Sequence, residues 1–283
     1  MSFISYAQNF EDVMLWRALK HIEHGFYIDI GANDPIIDSV SRAFYENGWR
    51  GVHIEPTKQY ADLLKKDRPD EIVEQVAIGA PSEIATFYEF EGTGLSTVDP
   101  EIAKMHHATG YKMTETKVPI VSMDMLLDQY NDRQIHWLKL DVEGFEKKAL
   151  ESWETSIQRP WILVIESTKP LTQEQNYQEW ESIIIQKGYS FAYSDGLNRF
   201  YVHHNHSNLL STFCAPPNVF DGFELSGRSS HSFHYRITQL AQQAEARAQQ
   251  AEAELQAVYA SRSWRITKPL RRLEDLFRKK ANQ

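Results

Sequence analysis

Four short apolar runs in this chain each stop at a carboxylate: FYIDIG at Asp29, GVHIEP at Glu55, WLKLDVEG at Asp141 and WILVIES at Glu166. Apolar runs of this length, bounded by turn residues, read as strands buried on both faces. The segments between them carry helical spacing. FEDVMLWRALKHI is amphipathic, Ser39 to Asn47 ends at Gly48, TKQYADLLKKD has Thr57 as N-cap, and MDMLLDQY has Ser122. FEKKALESW and residues 173–187, ended by Gly188, complete the helices. EIVEQVAIG reads as a third strand, and YSFAYSD with NRFYVH as an antiparallel hairpin about Gly196 and Leu197. ATFYEF and KVPIVSM are further strand candidates around a polar excursion from Glu91 to Thr116. Strand–helix alternation predicts an α/β fold with a mostly parallel sheet. Ligands of such sheets bind beyond the carboxyl ends of the strands, so the four acids mark the expected site.

Those acids also restrict the ligand. Carboxylates at the rim of an apolar sheet are costly unless solvated or partnered; capping of a helix explains one of them more readily than four. In DIGAN, Asp29 stands before a single glycine, Gly31, with none of the G-x-G-x-x-G spacing that brings backbone against a pyrophosphate. A phosphate would be repelled there; a cationic or hydroxyl-bearing ligand would not. Glu55 suits a ribose diol, and Gln75 to Ile78 would edge an adenine, with the side chains of Ala77 and Ile78 reading as core. S-adenosylmethionine, a nucleoside joined to a charged amino acid without phosphates, fits this pattern better than NAD. Asp141 faces the place of the transferred methyl, or else caps the next helix. Lys139 shares its face by the period of two; it is a base if its pKa is depressed, or simply the partner of Asp141. Asp141, Glu143 and Glu166 are the other candidate bases, with His106 and His107 behind them. Asp141 and Glu166 are also carboxylates that would hold Mg²⁺ or Ca²⁺, although the reading leans to metal-independent chemistry. His203, His204 and His206 make a poor zinc pattern without cysteines and are expected at the surface.

The 283 residues include one cysteine, Cys214, expected as a small buried apolar group. No apolar run approaches the ~18–20 residues of a membrane span. MSFISYAQNFEDVML lacks the basic and apolar regions of a signal peptide, which favours the cytoplasm. The net charge of −9 is uneven. From Ser261 to Lys280, eight basic residues face only Glu274 and Asp275, a local +6 that leaves −15 elsewhere. So acidic a body argues against nucleic acid as partner, while the basic end suits an anionic partner or a membrane surface. Before it, Ile237, Ala241, Ala244, Ala248, Ala251, Leu255 and Val258 form a heptad seam. Residues 233–258 therefore read as a coiled-coil oligomerisation helix or a single exposed helix. SRSWRITKPLRRLEDLFRKK reads as an interfacial amphipathic helix or a tail that docks on a partner protein.

YAQNFEDVMLWRAL, DIGANDPIIDSV, IEP, VAIG, EGTGLSTVD, LKLDVEG and DGLNRFYV together resemble the FkbM-type methyltransferases over about Tyr6 to Phe220. The resemblance implies a class I methyltransferase, Rossmann-like fold, with a seven-stranded sheet of order 3-2-1-4-5-7-6, that uses S-adenosylmethionine to methylate hydroxyls, often on sugars or natural products. It puts Asp29, Gly31 and Asn33 in the cofactor loop, with Ser39 on the helix after it, Glu55 on the ribose, Val76 and Ala77 by the base, and Asp141 and Glu143 at the reaction end. Gln8, Glu11 and Asp12 match an N-terminal motif that looks like a lid. Pro35 departs from the glycine common there. The expected organisation is a methyltransferase domain over residues 1–227, a helical or coiled-coil segment over 228–260 and a basic tail over 261–283. SRSWRITKPLRR resembles tails of bacterial glycosyltransferases and surface-polysaccharide enzymes. That points to a sugar or glycan acceptor, contact with a glycosyltransferase or membrane surface, and a place in the cytoplasm at the inner face of the membrane. The alternatives are a methyltransferase of a small natural product, or an inactive cofactor-binding adaptor assembled through the C-terminal helix.

Overall fold

The structure is a computed structural model that describes residues 3–80, 82–90, 93–230 and 232–268. The chain divides into two compact units, Met1–His231 and a second beginning at Ser232.

The larger unit is built on seven strands: β1 (Phe26–Ile30), β2 (Arg50–Ile54), β3 (Ile72–Glu74), β4 (Trp137–Leu140), β5 (Ile162–Glu166), β6 (Tyr189–Ser194) and β7 (Asn198–His203). Across the sheet they lie in the order 3-2-1-4-5-7-6. β7 is antiparallel to both its neighbours, and the remaining pairings are parallel. Alternation along the strands divides the core in two. Ile28, Ile30, Ile54, Leu138, Leu140 and Leu163 face one side, under α5 (Met123–Gln129), α6 (Glu146–Glu151) and α7 (Glu181–Gln186). Tyr27, Trp137, Ile162, Val164 and Phe200 face the other, under α1 (Glu11–Leu19) and α2 (Val40–Glu46). The register that pairs Tyr27 with Trp137 stacks their rings with centroids 4.5 Å apart. It also sets Asp29 between His53 and Lys139 at the carboxyl edge. α3 (Lys58–Asp67) links β2 to β3.

The sequence reading needs correction at several elements. EIVEQVAIG is not one strand. The Glu55 amide donates to the Glu74 carbonyl as the last rung, and Pro56 then offers no N–H to continue the ladder. Ala77–Ile78 leaves to pair with Thr114–Val121, which pairs antiparallel with Ser82–Glu89 in a separate three-stranded sheet. The polar excursion holds a helix, α4 (Pro100–Ala108), whose first amides at Glu101 and Ile102 donate to the carboxylate of Asp99. Residues 173–187 contribute only a turn of 3-10 helix and α7, because Ser167 and Lys169 bond back to Asn176 and Glu174. Thr57 precedes α3, but its hydroxyl donates to Glu55 and caps nothing. Cys214 is exposed. His203 is buried, and His206 stacks on Trp161 at 4.0 Å. Phe3–Ser5 and Phe223–Leu225 pair in parallel, joining the two ends of the unit.

The second unit contains α8 (Ser232–Ala260) and α9 (Arg262–Ile266), the latter capped by the Ser261 hydroxyl. Ile237, Leu255 and Val258 of the heptad seam are exposed. Most of the basic tail, from residue 269 on, lies outside the described residues. Among the described residues no helix is long and apolar enough to cross a membrane.

Candidate active site

A cavity of about 500 Å³ opens at the carboxyl ends of β1, β2, β4 and β5. It is lined by Gln8, Glu11, Asp29, Gly31, Asn33, Glu55, Val76, Ala77, Lys139, Asp141, Glu143 and Glu166. These site residues singled out in the sequence are thereby brought together, while Asp12, Ser39, His106 and His107 lie off the cavity.

The loop after β1 shows why a single glycine serves. The amides of Gly31 and Ala32 both donate to the Ile54 carbonyl, and the Asp141 amide donates to that of Ile30. These bonds curl the chain tightly over the end of β4. Gly31 has φ of 78°, and a Cβ there would lie 1.8 Å from the Asp141 carbonyl oxygen. Asn33, also left-handed at φ 51°, donates its amide to Oε2 of Glu55 at 2.8 Å. Oε1 of Glu55 accepts from the amide and hydroxyl of Thr57. Three donors thus occupy most of the roughly four lone-pair positions of this carboxylate. Glu55 anchors the loop as well as facing the cavity, and a grip on a diol by both free oxygens is not available.

The outer half of the loop is held by a residue the sequence did not flag. Arg68 is fully buried and donates to the Pro35 carbonyl at 2.6 Å and to the hydroxyls of Ser39 and Ser41 at 2.9 and 2.8 Å. This is the correction for Ser39: its side chain supports the loop from behind and does not line the cavity. Asp34 completes the turn by accepting the amides of Ile36 and Ile37. Local spacing offers no sign of Arg68, which reaches the loop from the far end of α3.

A polar row crosses the sheet just below the cavity. Glu71 accepts from the Tyr27 hydroxyl and lies 2.7 Å from Nε2 of His53, whose Nδ1 is 4.0 Å from Asp29. On the other side of Asp29, Lys139 donates to Oδ2 of Asp141 at 2.6 Å. Burial works to lower the pKa of Lys139, yet Asp141, Asp29 and Glu11 together raise it above the ordinary lysine value. Lys139 is consequently held as a cation, which removes it from the candidate bases. His53 shares a face with Asp29 by strand alternation, a signal present in GVHIEP.

At the reaction end, Glu143 adopts a left-handed backbone with φ of 51°. The excursion packs onto it: the Thr97 hydroxyl donates to the Glu143 carbonyl, and a Cβ on Gly94 would come within 3.4 Å of Asn33 Nδ2 and 3.9 Å of Glu143 Oε1. Thr93, Leu95 and Ser96 line the cavity from this loop. Burial, then the charges of Asp141 and neighbouring acids, pushes Glu143 and Glu166 well above the usual carboxylate range. His106 is buried behind the loop with Nδ1 against the Leu95 carbonyl, and His107 contacts the Tyr111 carbonyl. Neither lines the cavity.

The N-terminal segment closes another wall. Asp12 is buried and accepts from Ser5, Tyr6, Ala7 and Val13, which orients the segment but leaves Asp12 off the cavity. Glu11 accepts from the Asn9 amide and from Asn198. Gln8 reaches Ser230 at 3.4 Å, and Asp38 accepts from the Ser229 hydroxyl and the Ser230 amide. Asp38 and Ser230, both cavity-lining, were not anticipated.

The model of the methyltransferase FkbM domain matches residues 29–191. The chain belongs to the FkbM methyltransferase family. The match spans the loop after β1, the excursion and both acidic strand ends at β4 and β5, so the matched segment supplies the cavity lining apart from Gln8, Glu11, Leu197 and Ser230. No curated protein matches the sequence. Among solved structures, this FkbM protein is similar to a TehB-like S-adenosylmethionine-dependent methyltransferase from Corynebacterium glutamicum (10% identity, TM-score 0.36, covering 67% of this chain and 84% of that one). It is similar also to a putative RNA methyltransferase from Pyrococcus horikoshii (11%, 0.35, 69% and 82%) and to an O-methyltransferase from Bacillus cereus in complex with SAH (10%, 0.31, 68% and 78%). As an FkbM protein the chain is an S-adenosylmethionine-dependent methyltransferase. The cavity suits that cofactor: among the described residues its acids are Glu11, Asp29, Asp34, Asp38, Glu55, Asp141, Glu143 and Glu166, against Lys139 as the one lysine or arginine in the lining. A sulfonium and an ammonium are welcome in such a field, and a pyrophosphate is not.

Proposed function

We propose that this enzyme transfers the methyl group to a hydroxyl of a sugar or glycan, such as a surface polysaccharide or related glycoconjugate. The observation that carries the reading is the reaction end of the cavity, where Asp141, Glu143 and Glu166 converge in a lining shared with Thr93 and Ser96. Carboxylates and hydroxyls recognise polyols by accepting and donating hydrogen bonds.

S-adenosylmethionine supplies an electrophilic methyl on a sulfonium. The acceptor oxygen must approach that carbon in line with the breaking C–S bond, and its proton must leave as the new C–O bond forms. Gly31 and Asn33 set the floor of the cofactor end, Glu55 and the Val76–Ala77 segment flank it, and Asp29 provides a buried negative charge. The reaction-end carboxylates orient the acceptor and take its proton. Lys139 fixes Asp141 and balances part of the charge. The Thr93–Thr97 loop shields this end from water. The basic tail fits recruitment to an anionic partner or to the inner face of a membrane where glycans are assembled, and the α8 seam fits a homo-oligomer.

Transfer of labelled methyl from S-adenosylmethionine onto an extract of cell-surface glycans tests the acceptor class. Incorporation into the carbohydrate fraction supports it; label only in small apolar molecules overturns it. Asp29→Asn is expected to weaken cofactor binding at least about tenfold, the equivalent of ~1.4 kcal/mol, as read by calorimetry.

A further inference from the structure

We propose that Asp141, Glu143 and Glu166 bind one hard divalent cation at the reaction end of the cavity. One oxygen from each lies within 4.8 Å of the other two. Calcium–oxygen bonds run about 2.3–2.6 Å, so two ligands on opposite sides of the ion stand roughly 4.8 Å apart. The three oxygens are already inside the span a single ion bridges.

A cluster of acids alone would not identify a ligand. The second observation is Glu166. This residue is 8% exposed and lines the cavity, yet its Oε2 is buried and receives no hydrogen bond from the described residues. Leaving a buried acceptor without a donor costs free energy; of the groups whose charge acts on it, Asp141, Glu143 and Glu146 are acids and Lys139 is engaged by Asp141. Lys139 donates to Oδ2 of Asp141, which fixes that carboxylate and leaves Oδ1 for the ion. Glu146, the next acid along, is occupied by the amides of Val142 and Gly144. With all three carboxylates ionised, they and the lysine would sum to −2, which a divalent ion neutralises. The donor set is all oxygen, with no cysteine or histidine, and so selects Mg²⁺, Ca²⁺ or Mn²⁺ over softer metals.

The sequence pairs only Asp141 and Glu166 as metal ligands, though it puts Glu143 at the reaction end. Its left-handed backbone turns the LDVEG loop inward, and the Thr97 hydroxyl on its carbonyl ties that turn to the excursion. With three protein ligands, further coordination positions stay open for water or for hydroxyls of an acceptor. That use of the ion rests on the proposed O-methyl transfer; its binding does not.

The test uses the full-length chain, stripped with EDTA and titrated with Mn²⁺, the free ion being followed by electron paramagnetic resonance. One saturable site per chain is expected, from which Mg²⁺ or Ca²⁺ displaces the probe. Loss of an outer-shell partner weakens metal binding about 10–100-fold; Glu166→Gln and Asp141→Asn, which remove direct ligands, should weaken it at least that much. No saturable site in the wild-type chain overturns the proposal, as does unchanged affinity in both variants. Near-UV circular dichroism reports whether each variant folds; if one does not, the wild-type stoichiometry and the other variant decide. SAH binding and glycan methylation are measured on the same Mn²⁺-loaded samples. A bound ion without methyl transfer leaves the site standing and counts against the acceptor reading.

Discussion

Gly31 couples two strands by what it lacks. Its Cα faces the Asp141 carbonyl so closely that a methyl group would overlap it, and its φ is left-handed. Gly31→Ala is expected to cost about 2–5 kcal/mol, from the left-handed conformation and the forced displacement together. It should also weaken S-adenosylmethionine binding, because the loop and the end of β4 must part. Thermal unfolding and calorimetry on one preparation check both effects; a fully stable variant would show that the loop yields independently of β4. Arg68 acts at the same scale from behind. Its removal as Arg68→Ala takes the guanidinium from beside Glu71, which keeps Tyr27 and His53, and frees the Pro35 carbonyl and the Ser39 and Ser41 hydroxyls. Breaking a buried ion pair from one side typically costs about 3–5 kcal/mol, and urea unfolding would measure it. These two residues mark what a sequence can and cannot disclose. Gly31 is legible because the turn after an apolar run demands it. Arg68 is opaque because it meets Pro35 only after α3 has folded back, so the unusual proline seemed to lack a partner.

At the scale of elements, the four acid-terminated strands were legible because a strand buried on both faces leaves a plain apolar signature, and the helices between them followed from spacing. What escaped was decided by ladder geometry and side-chain competition. The third strand was broken by Pro56 on its neighbour, the expected cap at Thr57 was diverted to Glu55, and the helix before Gly188 was shortened by a loop bonded to Ser167. The start of α1 carries a titration consequence. Burial, then the charge of Asp195, pushes Glu11 up to about 8. The folded chain therefore holds a proton that the unfolded chain releases, and stability declines as pH rises between the ordinary glutamate value and the raised one. Buried histidines with lowered values, among them His136 and His203, oppose this trend below neutrality. The decline should thus emerge above about pH 7, amounting to roughly 1 kcal/mol over one unit for a single group. Glu143 and Glu166 are raised as well and add to the same decline, so urea midpoints of the ligand-free protein and of Glu11→Gln would check it; an equal decline in both would remove Glu11 as its source.

Across the whole molecule, every residue that lines the cavity belongs to the first unit. A chain ending at His231 should bind S-adenosylmethionine with unchanged affinity while showing a smaller mass by light scattering than the full chain, if α8 supplies the oligomer contact. Equal protomer number in both would locate association elsewhere. A chain ending at Gly227 should bind the cofactor more weakly, because Asp38 and Gln8 lose the hydrogen bonds they make to Ser229 and Ser230. The heptad pattern could suggest a seam, but it could not reveal that the cavity wall continues up to Ser230.

That last strip of wall matters to anyone who trims or fuses this protein. Composition invites the scissors at Gly227, where the Ala/Gln-rich region seems to start. The hydrogen bonds of Ser229 and Ser230 place the safe cut past Ser230, and a reporter or affinity handle joined any earlier would be grafted onto the rim of the active site itself.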